Sequence, residues 1–292
     1  MKIIDILGAG KVTVSCELFP PKHGSELARA KLVVRDTAKL GPSFISVTCG
    51  AGGGTGDRTV SLADEVNACG VTALAHLTCI SAGQDTVREV LAELASRGIE
   101  NVLALRGDLP EGEPAPAQSG PTSRHYLHAC DLMKEIRDYG GFCIGGACYP
   151  EGHPESPTLQ KDIENLKIKV DCGCQFLTTQ MFFDNNVLYN YMFRLLKNGV
   201  DIPVIAGIMP VTDGRQISRI CKLSGTALPP RFRAIVDQFS GNPAAMTQAG
   251  VAYATEQIID LVANGVRHVH IYTMNKPDVA GKIMSNLSEI FK

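Results

Sequence analysis

A carboxylate sits inside an otherwise apolar run, Ser15-Cys16-Glu17-Leu18-Phe19-Pro20-Pro21, which two prolines stop. Burial disfavours the charged form of such a group, which would raise its pKa and make Glu17 a candidate general acid. A carboxylate salt-bridged within the fold, to Arg106 or Lys22, is an equally good reading of the segment. Asp108 follows Leu105-Arg106-Gly107. A glycine beside charges of both signs suits backbone that approaches a ligand closely, or else a solvated loop ion pair. Gln180, in Thr178-Thr179-Gln180-Met181-Phe182-Phe183-Asp184, is an amide among apolar residues. It needs partners for oxygen and nitrogen alike, which the edge of a flat heterocycle provides. Tyr149-Pro150-Glu151-Gly152-His153-Pro154-Glu155 puts a phenol, carboxylates and an imidazole into one rigid loop. His76 reads first as a satisfied core histidine. His268 and His270 share a strand face by period two but lack cysteine or carboxylate partners at ligand spacing, so no metal site is expected. The glycine-rich residues 50–56 match neither the dinucleotide fingerprint nor the P-loop, and read equally as a phosphate cradle or a flexible turn.

A repeating unit positions these residues. Eight short β-branched or apolar runs, at residues 12–19, 44–49, 72–79, 101–107, 143–149, 176–183, 204–209 and 268–274, are each followed by a helix-period segment. The candidate polar groups lie at or just past the C-terminal ends of the runs. Eight βα units predict an α/β fold, a single closed (β/α)8 TIM barrel over residues 1–292, with its chemistry at that end. Length alone would allow two domains, but the alternation is unbroken. Val87, Val90, Leu91 and Leu94 form one helical stripe, with Asp85 or Thr86 as expected N-cap and Gly98 as stop. Leu159, Ile163, Leu166 and Val170 form another, closed by Gly173, and Leu188, Tyr191, Met192 and Leu195 a third, closed by Gly199. Val279, Ile283, Leu287 and Ile290 predict a last helix sealing the barrel against its first strand. Extra helices are expected between strands seven and eight, at residues 213–221 and 230–239, before a main one at 244–263. Residues 110–123 are too rich in Pro and Gly for helix and read as a loop over the site or a plain surface loop.

Composition excludes several classes. With 28 basic against 30 acidic residues among 292, no nucleic-acid or anionic-membrane footprint is visible. No run approaches the ~18 apolar residues of a membrane span. The opening Met1-Lys2-Ile3-Ile4-Asp5-Ile6-Leu7 is too short and too soon acidic for a signal peptide. The ten cysteines include Cys16, Cys49, Cys79, Cys143 and Cys148 within or ending expected buried strands, so they read as small hydrophobes of a reducing cytoplasm. Cys172-Gly-Cys174 is the nearest approach to a metal-binding pair, and it is discounted.

Taken together, these segments resemble the methylenetetrahydrofolate reductase family, from about Val14 to Lys276. The matching pieces are E-L-F-P-P at Glu17, S-V-T at Ser46, A-H-L-T-C at Ala75, A-L-R-G-D-L-P at Ala104, Y-P-E-G-H-P-E at Tyr149 and D-x-x-N-L-K-x-K-V at Asp162. T-Q-x-F-F-D at Thr179, G-I-x-P-V at Gly207 and Y-T-x-N at Tyr272 complete the series. The order of the pieces, each at the same end of an expected barrel strand, carries the resemblance.

The resemblance implies a flavin-containing barrel that reduces 5,10-methylenetetrahydrofolate to 5-methyltetrahydrofolate with NADH or NADPH as electron donor. Glu17 would be the acid that opens the folate's five-membered ring to a 5-iminium cation, which takes hydride from N5 of the reduced flavin. Asp108 would favour that cation and touch both flavin and pterin. Gln180, Gln216 and Lys276 would bind the folate. The implied flavin contacts are Thr48, Cys49, Ala51, His76, Arg106, Gly107, Asp108, Ala129, Tyr149, His153, Asp162, Asn165 and Lys169.

Three departures bear on this. Ile168 stands where many members have an arginine that reaches the cofactor's phosphates, so diphosphate binding loses a bidentate partner; FAD stays the expected flavin, with FMN or a loosely held flavin as the alternatives. Cys49 replaces an aromatic residue, and Lys276 replaces an arginine. The sequence ends after the barrel, so no regulatory domain and no feedback by S-adenosylmethionine is expected. A homo-oligomer is expected. The competing readings are a flavin-free pterin-binding barrel of methyltransferase type and a flavin subunit fed by an electron-transfer partner.

Overall fold

The computed structural model describes residues 1–49, 56–80, 82–108 and 126–292. Ala51, the loop at 110–123 and most of the glycine-rich turn at 50–56 lie outside the described residues.

The strands are β1 (Thr13–Leu18), β2 (Phe44–Val47), β3 (Thr72–Thr78), β4 (Asn101–Leu105), β5 (Cys143–Cys148), β6 (Phe176–Thr179), β7 (Val204–Ile208) and β8 (His268–Tyr272). They pair in sequence order, all parallel, and β8 closes on β1, giving the expected (β/α)8 barrel. Strands covered by helices outside and side chains inside are buried on both faces, which is why they read as continuous apolar runs. The helices are α1 (Ile3–Leu7), α2 (Leu27–Ala38), α3 (Gly56–Ala68), α4 (Gln84–Ser96), α5 (Ala129–Tyr139), α6 (Leu159–Asp171), α7 (Asn185–Lys197), α8 (Gly214–Ser224), α9 (Pro230–Phe239), α10 (Pro243–Ala263) and α11 (Pro277–Asn286). α8 and α9 are the extra helices between β7 and β8.

The floor of the barrel is an apolar plug. Ile3 and Leu7 of α1 join Phe44, Leu74, Leu103, Cys143, Phe176 and Ile205 in one buried cluster. Asn101 ties the plug down: its Oδ1 accepts from the Ile3 N–H at 2.8 Å, and its Nδ2 donates to the Met1 and Ala73 carbonyls, both at 3.1 Å. Gly145 makes room for the Phe176 ring, whose edge fills the place that a Cβ would take. With the lower end filled this way, the described residues leave the C-terminal end of the barrel to admit a ligand.

Some expectations need correction. α4 is capped by Gly83, one residue before Gln84, rather than by Asp85 or Thr86. β6 stops at Thr179, so Gln180 stands just beyond the strand rather than within it. α11 packs beside α10 and α2 in the outer ring. The barrel is sealed by the β8–β1 ladder instead, with Ser15 opposite His270 and Glu17 opposite Tyr272.

Candidate functional site

Glu17 points into the barrel mouth between two imidazoles. Its Oε2 lies 3.7 Å from Nε2 of His76 and 3.6 Å from Nε2 of His270. The β1–β8 register fixes part of this arrangement. Ser15 Oγ donates to the Val269 carbonyl at 3.1 Å, so the 2.7 Å contact with His270 must be an Nδ1–H donated to that Oγ. That tautomer leaves Nε2 to accept from Ser46 Oγ at 3.2 Å, or, when protonated, to face Glu17 with a proton. Tyr272, opposite Glu17, donates its hydroxyl to the Thr179 carbonyl at 2.5 Å. Gly207 leaves the space: a Cβ there would fall 2.7 Å from the Tyr272 hydroxyl.

The charge state of Glu17 differs from the expectation. Burial pushes its pKa up, but hydrogen bonding toward His270 and the fields of His76 and His270 more than offset this, and the carboxyl ends below its ordinary value. Neither Arg106 nor Lys22 partners it. Burial drives His76 the other way, down to about 4, so its imidazole is neutral near pH 7. The His76 Nε2 is buried with no hydrogen-bond partner among the described residues.

A cavity of about 410 Å³ opens beside the ends of β4 and β5, walled by α5 and α6. Seven of the implied flavin contacts line it: Arg106, Ala129, Tyr149, His153, Asp162, Asn165 and Lys169. Thr48, Cys49, His76, Gly107 and Asp108 do not; His76 lies inside β3, and the others follow the ends of β2 and β4. Arg106 reaches Glu155 with a bidentate fork, Nη1 to Oε2 at 2.5 Å and Nη2 to Oε1 at 2.6 Å. Its sequence neighbour Asp108 is exposed. Lys169 Nζ donates to the Ala147 carbonyl at 3.0 Å, and Asp162 accepts from Ser156 Oγ at 3.0 Å. Tyr149 stands edge-on to His153, with ring centroids 4.6 Å apart; burial pushes its hydroxyl up to about 12. Ile168 adds an apolar, half-exposed side chain to the same wall. The glycine at 107 is explained by its neighbours. Its φ is +87°, and a Cβ would lie 3.0 Å from the Thr78 Cβ.

The implied folate contacts stand past the ends of β6, β7 and β8. Gln180 accepts the Met181 N–H on Oε1 at 2.9 Å, and its amide nitrogen has no partner among the described residues. Gln216 donates to Asp213 at 3.2 Å, and Lys276 to Thr212 Oγ1 at 2.7 Å. Both are exposed on the rim, and neither contacts Glu17.

Sequence reasoning missed the roles of His270, Ser15 and Ser46 around Glu17. The alternation Thr13, Ser15, Glu17 on β1 and His268, His270, Tyr272 on β8 was the available signal, because a closed barrel must pair its first and last strands. It placed Asn275 in the Y-T-x-N segment without its role, which is to bond the backbone of Phe19.

The methylenetetrahydrofolate reductase family profile matches residues 2–288. A 5,10-methylenetetrahydrofolate reductase of Pectobacterium carotovorum subsp. carotovorum is 32% identical over 279 residues, spanning 95% of this chain and 91% of that protein. The enzyme of that name from Escherichia coli (strain K12) gives the same identity and the same coverage, 32%, 95% and 91%. Methylenetetrahydrofolate reductase (NADH) 1 of Zea mays is 33% identical over 99% of this chain, which spans 50% of the plant protein. Among solved structures, a Clostridium thermocellum protein that binds two copies of 5-methyl-5,6,7,8-tetrahydrofolic acid superposes with a TM-score of 0.64 at 14% identity, covering 99% of both chains. Xanthomonas albilineans dihydropteroate synthase superposes at 0.55 and 12% identity over 96% of this chain and 93% of its own. At such identities these two likenesses establish the fold alone. The profile and the bacterial relatives establish more, and the chain belongs to the methylenetetrahydrofolate reductase family of oxidoreductases.

Proposed function

We propose that this chain reduces 5,10-methylenetetrahydrofolate to 5-methyltetrahydrofolate, with a flavin, FAD rather than FMN, held at the ends of β4 and β5. The observation that carries the reading is Glu17 Oε2 set between the His76 and His270 imidazoles inside the barrel mouth. The residues present fit a flavin. The cavity offers the Arg106 and Lys169 cations for an anionic arm and Asp162 and Asn165 for hydroxyls, while the buried His76 Nε2, 3.7 Å from Glu17, has no hydrogen-bond partner among the described residues and can still engage one. When bound, the flavin supplies the hydride, drawn from NADH or NADPH.

The chain's own residues supply protons, orientation and field. Glu17 delivers a proton to the amine nitrogen that leaves as the folate's five-membered ring opens. Because Glu17 is held ionised at rest, it must be loaded first, and the His270 Nε2 beside it is the group placed to pass a proton on. Asp108 favours the cationic 5-iminium form by its negative charge. The amide nitrogen of Gln180, without a partner among the described residues, orients the pterin edge, with Gln216 and Lys276 holding the folate from the rim. The buried thiols Cys16, Cys79, Cys143 and Cys148 fit a reducing cytoplasm.

The test is the spectrum of the purified chain, identification of the released flavin, and assay of 5-methyltetrahydrofolate formed with NADH or NADPH. Glu17→Gln should keep flavin reduction and lose folate turnover by about a hundredfold or more, the scale of general acid catalysis. A colourless protein favours the pterin barrel without redox chemistry. A flavin reduced by dithionite but by neither nicotinamide favours supply from a partner subunit.

A further inference from the structure

The cavity assigned to the flavin already holds an anion of its own. Glu155, in the loop between β5 and α6, presents both carboxylate oxygens to the Arg106 guanidinium. The two ends of the pair are not equally free. Arg106 is 25% exposed and its Nε also donates to the Gly107 carbonyl at 3.3 Å, whereas Glu155 is 59% exposed. The remaining charged side chains of the cavity do not leave a surplus of positive charge. Arg106 is paired with Glu155, Lys169 and Asp162 offset each other in number without pairing, and Ile168 contributes no charge.

A carboxylate and a phosphate ask the same thing of a guanidinium, two parallel N–H donors in one plane. A ligand phosphate that approaches Arg106 therefore meets a seat that is taken. From this geometry we infer that Glu155 is an internal stand-in for the cofactor's phosphate: its carboxylate occupies the anion seat on Arg106, and a phosphate-bearing flavin binds by displacing it. The inference rests on the flavin reading above. Exchange of one anion for another makes the cofactor's affinity the difference between two ion pairs. The exposed partner, Glu155, swings out; Arg106 stays, held by Gly107. A flavin without phosphate has nothing to exchange, and its affinity is independent of Glu155.

The test compares FAD with riboflavin on the full chain, wild type and Glu155→Gln, by titration of the flavin-stripped protein and fluorescence of the free flavin. Loss of a partly exposed ion-pair competitor should tighten FAD by roughly fivefold and leave riboflavin unchanged. FAD binding that weakens in Glu155→Gln would make Glu155 a clamp that orients Arg106, and overturns the inference. So does FAD binding that stays the same, or a change in affinity shared equally by the two flavins. If the wild type takes up neither flavin, the flavin reading itself falls and the inference goes with it.

Discussion

The carboxamide of Asn275 bonds both backbone groups of Phe19, accepting its N–H at 3.0 Å and donating to its carbonyl at 2.9 Å. One side chain from the loop after β8 thus extends the β1–β8 ladder beyond Tyr272. Asn275 and Met274 adopt left-handed backbone, φ 54° and 52°, a conformation that asparagine tolerates better than most residues. Thr273 Oγ1 adds a bond to the Glu17 carbonyl at 2.6 Å. The end of the strand that carries Glu17 is therefore held at two points by the loop that follows the strand carrying His270.

Asn275→Ala removes the clamp without touching Glu17 itself. Two backbone groups of Phe19 lose their partner, at a cost of about 1–2 kcal/mol in stability. Glu17 is then less firmly placed between His76 and His270. Folate reduction should fall about tenfold while flavin reduction by NADH or NADPH keeps its rate. Stopped-flow measurement of the two half-reactions separates them, and an equal loss in both would show that the clamp does not act through Glu17.

The barrel was legible because its strands are buried on both faces. The runs at 101–107 and 204–209, for example, differ from the observed β4 and β7 by only one or two residues at their ends. Glu17 stood out because a carboxylate interrupts such a run. His270 did not, since its link to Glu17 exists only once β8 meets β1, and the Ser15–His270 contact joins residues 255 apart. The α1 plug was illegible for a different reason: five residues offer no helical period to read. Glu155 was visible within its loop, yet nothing local distinguishes it from Glu151, which instead accepts the Ala227 N–H at 2.9 Å. Burial alone points the Glu17 pKa in the wrong direction, because the two imidazoles that outweigh it come from strands distant in sequence.

Removal of His270 should move that pKa. Burial raises Glu17, and hydrogen bonding toward His270 is the largest influence opposing it. In His270→Asn, burial gains the upper hand and the carboxyl titrates at higher pH. An acid works only while protonated, so the rate of folate reduction falls as pH rises through its pKa. The falling limb of single-turnover folate reduction should therefore lie at higher pH in the variant than in the wild type. A limb that stays in place would remove Glu17 from that proton step or His270 from its control.

Gly107→Ala tests the turn that separates Arg106 from Asp108. The new Cβ meets the Thr78 Cβ at 3.0 Å and the Ile80 Cγ2 at 3.3 Å, and the backbone is at φ +87°. Strain of this kind costs about 1–3 kcal/mol. Relief requires the turn to move, and both charged neighbours move with it. Thermal unfolding should show the loss of stability, and flavin affinity should fall as Arg106 is displaced. Full stability in the variant would mean that the turn relaxes freely.

His76 makes the protein acid-sensitive in a defined window. Its folded pKa lies at about 4, against 6.5 for the free side chain, because burial disfavours the imidazolium. Between those values the unfolded chain binds a proton that the folded one refuses, so stability is whole above about pH 6.5 and declines as pH falls toward 4. Each tenfold difference in proton affinity between the two states is worth about 1.4 kcal/mol, which makes the loss about 3 kcal/mol. Glu17, whose folded pKa is lowered, adds a decline of the same sign below its ordinary value of 4.5. His153 and His268, both held down chiefly by burial, contribute in the same direction. A substitution at His76 alone isolates its share from theirs. Urea unfolding at a series of pH values should show a shallower decline between pH 6.5 and 4 for His76→Gln than for the wild type, and parallel curves would mean that His76 takes up its proton without unfolding.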